Sequence, residues 1–285
     1  MNNLKITLML IGLTLLFVFL GYSFAGQQGM IIAFVLAIVM NFFSYWFSDK
    51  IVLSMYRARP ADPSSDRKLI SIVERAATMG GLPLPKVYVI PTRAPNAFAT
   101  GRNKNHAAVA VTEGILSLLT PEELEGVIGH ELAHIKNRDI LISSIVATIA
   151  GAIGILASIA RWGAIFGGYG GRDDRNGGIF GLLAMAIVAP IAAMMIQFAI
   201  SRTREYKADR IGGEITGNPN ALASALEKLH RAPVQLNLDS KPATAHLFIA
   251  SPLSGKGLAN LFSTHPPVEE RVRRLREQAM APVVH

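Results

Sequence analysis

His130 and His134 stand four residues apart in "GHELAHIKNRD", with Glu131 directly after the first. On an α-helix, residues i and i+4 share a face, so two imidazole nitrogens can reach one ion at about 2.0–2.1 Å. Glu131 can then act as a general base without binding the metal, the arrangement that metal-assisted hydrolysis needs. A catalytic zinc takes a third protein ligand and keeps one position open. The remaining histidines and the carboxylates are the candidates, and Glu205 is the best of them. It follows one long apolar stretch by five residues, as His134 shortly precedes another. Asp209, four residues on, shares the face of Glu205 and could hold the ring N–H of a ligand histidine. The plain alternative for both carboxylates is a solvated helix face.

The histidines need a helix, and the sequence supplies its start. "LTPEELEGVIGHELAHIKNRD" opens with Thr120 as N-cap, Pro121 at the first helical position and Glu123 completing a capping box. "SRTREYKADRIGG" reads as a second helix, stopping at Gly212-Gly213. "SSDRKLISIVERAATMGG" is an amphipathic helix through Leu69, Ile72, Val73, Ala76 and Ala77. "NPNALASALEKLH", started by Asn218 and Pro219, and "THPPVEERVRRLREQ", apolar at Val268, Val272 and Leu275, are two more. "KVYVI" and "HAAVAV" are strand-forming runs around "PTRAPNAFATGRNKN", which reads as turns or an edge strand. Residues 232–263 have no assignable pattern.

With 51% apolar residues in 285, the chain is apolar for a soluble protein. Four stretches, about 6–24, 30–47, 140–160 and 179–200, are long enough to span hydrocarbon and carry no Lys, Arg, Asp or Glu. The first is too long, and too soon followed by the second, to be a signal peptide. Lys and Arg flank the first span at Lys5, follow the second from Lys50 to Lys68 and follow the fourth from Arg202 to Arg210. These flanks belong in the cytoplasm, with both termini. The net charge of +8 has no dense basic run with interleaved aromatics, so nucleic acid is excluded as a partner; anionic lipid accounts for it. Zero cysteines exclude disulfides and thiolate metal sites.

"GHELAHIKNRD", "NAFATG", "SRTREYKAD" and "STHPP", in this order among these spans, resemble the HtpX-type membrane zinc metalloproteases, relatives of the eukaryotic CAAX prenyl endopeptidases. The resemblance covers nearly the whole chain. It implies a mainly α membrane protein with four transmembrane helices plus a cytoplasmic α+β zincin-like metalloprotease domain with a small sheet. Residues 1–48 would hold two spans, 49–139 and 201–285 the two parts of the protease domain, and 140–200 a transmembrane hairpin. It further implies one Zn2+ per chain on His130, His134 and Glu205, with Glu131 as the base. The substrates implied are unfolded, damaged or misassembled membrane proteins, cut on the cytoplasmic side of a bacterial inner membrane; other membrane quality-control proteases are candidate partners. His265 in "STHPP" is the candidate to stabilise the oxyanion, with Tyr206 behind it. Asn96, Ala97, Phe98 and Ala99 would bind substrate through the backbone of an edge strand.

Other classes fit less well. A transporter or channel would carry charges inside the membrane, and Asn41 and Gln197 outline no ion path. A silent zinc scaffold would not need Glu131, and prenyl-peptide processing relatives usually have more spans. His106, His230, His246 and His285 have no partner at ligand spacing. Ser143, Ala147 and Gly151 read as a small-residue packing face, Pro190 as a kink, and 232–263 as a cover for the cleft.

Overall fold

The computed structural model describes residues 2–149, 202–232 and 266–281. Helix α1, Asn2–Trp46, folds back on itself at Gly26, whose φ of +58° favours glycine. Its arms, Ile6–Ser23 and Gly26–Trp46, are each long and apolar enough to cross a membrane. They run antiparallel: a Cβ on Gly21 would lie 2.5 Å from Ala33 Cβ, and Asn41 Nδ2 donates to Thr14 Oγ1 at 2.9 Å. Asn41 is thus an interhelical clasp. The connection expected between the first two stretches is helical on both sides of that turn, so it is shorter than the sequence indicated. Of the third expected span, Ile140–Ile149 is helix α6, packed through Ile142, Ile145 and Ile149 on Ile6 and Leu13 of α1. The rest of it, all of the fourth, Gly151, Pro190 and Gln197 lie outside the described residues.

Between α1 and α6 come α2 (Ser48–Met55), β1 (Arg59–Pro60), α3 (Arg67–Met79), β2 (Lys86–Ile90), β3 (Ala97–Asn103), β4 (His106–Thr112), α4 (Glu113–Leu118) and α5 (Pro121–Lys136). Beyond residue 201 follow α7 (Arg202–Thr216), α8 (Pro219–Arg231) and α9 (Val268–Met280). The fold is mainly helical with one small mixed sheet in the order β1-β2-β4-β3. β2 and β4 are parallel; β3 returns antiparallel to β4, pairing Ala97 with Val111 and Ala99 with Val109, and forms the edge. The candidate "NAFATG" stretch is therefore an edge strand.

One face of the sheet, through Val109 and Val111, joins a core with Leu69, Ile72 and Val73 of α3, Val127 and Ile128 of α5, Leu222 and Leu226 of α8, and Val272 and Leu275 of α9. The other, through Phe98, Ala108 and Ala110, packs on Val52 and Leu53 of α2 and Ala147 of α6. The residues before and after the apolar middle of the chain thus share one core. α5 lies at its centre. Its capping box forms as the sequence indicates, Thr120 N–H donating to Glu123 Oε2 at 2.8 Å and Glu123 N–H to Thr120 Oγ1 at 3.3 Å. Glu123 also accepts from Ser224 Oγ and Lys228 Nζ, each at 2.7 Å, which ties α5 to α8.

Candidate active site

α5 and α7 approach backbone to backbone, because glycine stands at the crossing on both. A Cβ on Gly212 would lie 2.7 Å from His130 N, and one on Gly129 would lie 2.9 Å from Gly212 O. Of Gly212-Gly213, expected as a helix stop, Gly212 makes this contact instead and Gly213 faces Pro219 and Gln278; α7 continues to Thr216, and Gly217, at φ +65°, follows its end. Because the helices touch there, Glu205 and Asp209, two turns and one turn earlier on α7, fall against the histidines of α5.

His130 Nε2 and His134 Nε2 are 3.2 Å apart, and Glu205 lies 3.6 Å from each, through Oε2 and Oε1 respectively. Atoms bound tetrahedrally to one zinc at 2.0–2.1 Å are separated by about 3.3 Å, so this spacing fits a single ion. The histidine rings meet edge to face with centroids 4.7 Å apart. All three are withdrawn from solvent, His134 least. The cluster could hold a metal ion.

Each imidazole turns its Nδ1 toward a carboxylate. Asp209 Oδ1 is 2.9 Å from His130 Nδ1, and Asp139 Oδ2 is 3.5 Å from His134 Nδ1. Asp139 reaches back because Arg138 adopts φ +60° after α5 and Asp139 N–H donates to His134 O at 2.9 Å. Asp209 is gripped in turn by Arg271 of α9, a guanidinium with no exposed surface. Sequence reading missed Asp139 and Arg271. The first was inside the quoted motif; the second stands between Val268 and Val272 on the apolar stripe of α9, the signal that could have found it.

Electrostatics follow from burial and these neighbours. Burial pushes the Glu131 carboxyl up to about 7, against the opposing effects of His134 and the Ala99 N–H. Burial works to lower His134, but Asp139, Glu205 and Glu131 outweigh it and raise the imidazole to about 9. His130 is lowered, by burial above all. For Asp209, burial acts upward and is overcome by Arg271 and His130, which hold it at about 2. The carboxylates that raise His134 equally favour a divalent cation where the three ligand atoms converge.

Ala99 N–H donates to Glu131 Oε2 at 2.8 Å, so the edge strand lies directly against the HExxH helix. Asn96, Ala97, Phe98 and Ala99 are all buried; Phe98 packs on Tyr56, and Asn96 N–H donates to Thr112 Oγ1 at 2.8 Å. Their side chains do not face a cleft. Tyr206 lies under the Arg274 guanidinium, 3.9 Å from its ring centroid, and His265 and His246 lie outside the described residues. His106 is exposed beside Asn103, and His230 is exposed 3.9 Å from Glu269.

Three side chains that could hold a cation, with a buried carboxyl beside them, are the arrangement a metallopeptidase uses, and comparison with known proteins agrees with that class. Residues 63–279 match the sequence profile of peptidase family M48. The chain is 58% identical over 275 residues to the protease HtpX homolog of Desulfatibacillum aliphaticivorans, covering 96% of this chain and 89% of that one. It is 56% identical over 283 residues to the one from Syntrophobacter fumaroxidans, covering 96% and 99%. Its fold is similar to that of Ste24p from S. mikatae, with a TM-score of 0.52 at 18% identity over 96% of this chain and 65% of that one. The chain belongs to peptidase family M48.

Proposed function

We propose that this metalloprotease is a membrane-embedded zinc endopeptidase that cuts misfolded or damaged membrane proteins on the cytoplasmic side of a bacterial inner membrane, with one zinc on His130, His134 and Glu205. The observation that carries the reading is the 3.2 and 3.6 Å spacing of the three ligand atoms, next to a carboxylate docked on an edge strand. Support for the membrane setting comes from the two apolar arms of α1, and for the cytoplasmic side from the basic residues that follow them. The shared core supports reading 49–139 and 201–285 as one protease domain interrupted by a transmembrane hairpin.

Bound there, zinc would supply Lewis acidity toward a scissile carbonyl and toward water. Glu131 takes a proton from the attacking water and delivers it to the leaving amine. Ala99 N–H fixes one of its oxygens, leaving the other for that transfer. Asp209 and Asp139, facing the Nδ1 atoms of His130 and His134 at 2.9 and 3.5 Å, favour the tautomers that leave Nε2 as the ligand atom. The backbone around Ala97 pairs with an extended substrate, which gives affinity without selecting side chains. His265, one residue before Pro266, is assigned to the developing oxyanion.

Zinc content and cleavage of an unfolded protein, measured on the same detergent-purified preparations, test this. Wild type should carry one zinc and cut; Glu205→Ala should lose both. Undiminished zinc in that variant would remove Glu205 from the ligand set.

A further inference from the structure

We propose that the edge strand β3 is held at a fixed, short distance from the bilayer, so that the enzyme cuts membrane-anchored chains within about six residues of the lipid surface. The inference rests on the peptidase reading above and adds to it a rule for where the cut falls.

Two contacts tie the far end of β3 to membrane-embedded elements. The second arm of α1 ends in Phe42, Phe43, Tyr45 and Trp46, all exposed, an aromatic belt of the kind that sits at headgroup level. Arg102 of β3 stacks its guanidinium 4.7 Å from the Trp46 ring centroid, and its Nη1 donates to Trp46 O at 3.4 Å. Independently, Ser144 of the apolar helix α6 accepts from Gly101 N–H at 3.2 Å and shares a hydrogen bond with Thr100 Oγ1 at 2.7 Å. Lys104, exposed at the hairpin tip, and Lys50, 5.4 Å from the Phe47 ring, add positive charge where headgroup phosphates lie.

The same contacts limit the usable edge. Alternate residues of a strand turn their backbone groups outward, and the bonds of Ala99 and Gly101 mark the odd-numbered ones. Among the described residues, Ser144 closes the edge at Gly101 and Glu131 takes the N–H of Ala99, so the outward groups these contacts leave to a substrate are those of Ala97 and the Ala99 carbonyl, both covered in this structure. From Ala99, beside the base, to Arg102, beside Trp46, is three residues or about 10 Å of strand. An extended substrate therefore meets Glu131 within a few residues of leaving the lipid.

The test uses the full chain in vesicles with substrates made of one transmembrane helix and an unstructured linker, cut sites being mapped by mass spectrometry. Inserting six residues of new sequence beside the helix should leave the cuts at the same distance from the membrane, now in the new sequence. Arg102→Glu should scatter the cuts or move them outward, while cleavage of a soluble unfolded protein stays within about twofold of wild type. Cuts that travel with the original sequence overturn the proposal and leave the peptidase reading intact. Failure to cut any substrate, the soluble one included, removes both.

Discussion

Arg271 grips Asp209 with two hydrogen bonds, Nε to Oδ2 at 2.8 Å and Nη2 to Oδ1 at 2.7 Å, and Asp209 in turn faces His130. Both partners are buried, so removing one leaves the other charge uncompensated. Arg271→Met should cost about 3–5 kcal/mol of stability. It should also weaken zinc binding by about 10–100-fold, through loss of orientation at His130. Thermal unfolding in detergent and chelator competition read the two effects separately; unchanged zinc affinity would show that Asp209 needs no support.

Gly212 sets the distance between α5 and α7. Gly212→Ala would place a Cβ 2.7 Å from His130 N, where only backbone could give way. The expected cost is about 1–3 kcal/mol, with Glu205 displaced from the histidines and zinc content reduced. Gly12→Ala, where nothing lies within 4 Å, serves as the control. Equal zinc content in both would refute the close crossing.

Glu123 gives the soluble part an acid limit. Burial acts to raise its carboxyl, but Lys228, Ser224 and the Thr120 N–H outweigh that and hold it below the ordinary 4.5. A carboxyl depressed in the folded state adds stability that is fully present above its unfolded value. That stability fades as the pH falls below about 4.5 and through the folded value. Glu123→Gln should lower stability at neutral pH by about 1–2 kcal/mol and flatten the dependence below it. Unfolding midpoints of both proteins across pH about 3 to 6 decide this; parallel curves would exclude Glu123 as the source.

Much of this was legible because it is local. The Thr120–Glu123 box, the Asn218 cap and the apolar stripe of α3 depend on residues a turn apart, and each formed where the sequence placed it. The trio of His130, His134 and Glu205 came together because helical spacing and one crossing were enough to define it. What escaped depends on tertiary contact. A Gly-Gly pair means a helix end or a close approach, and only the partner at Gly129 distinguishes them for Gly212. Arg271 sits in a run of charge, "EERVRRLRE", that looks solvated until Asp209 is opposite. Of the adjacent serines, sequence singled out Ser143, whereas Ser144 is the buried one that meets β3.

Glu131→Gln tests the central claim most directly, with bound zinc and cleavage of an unfolded protein measured on one preparation. The amide keeps the size of the side chain and cannot take a proton. Zinc should remain at the wild-type level while cleavage falls by at least about 100-fold. Cleavage retained at the wild-type rate would contradict Glu131 as the base, and zinc lost with it would make Glu131 part of the metal site.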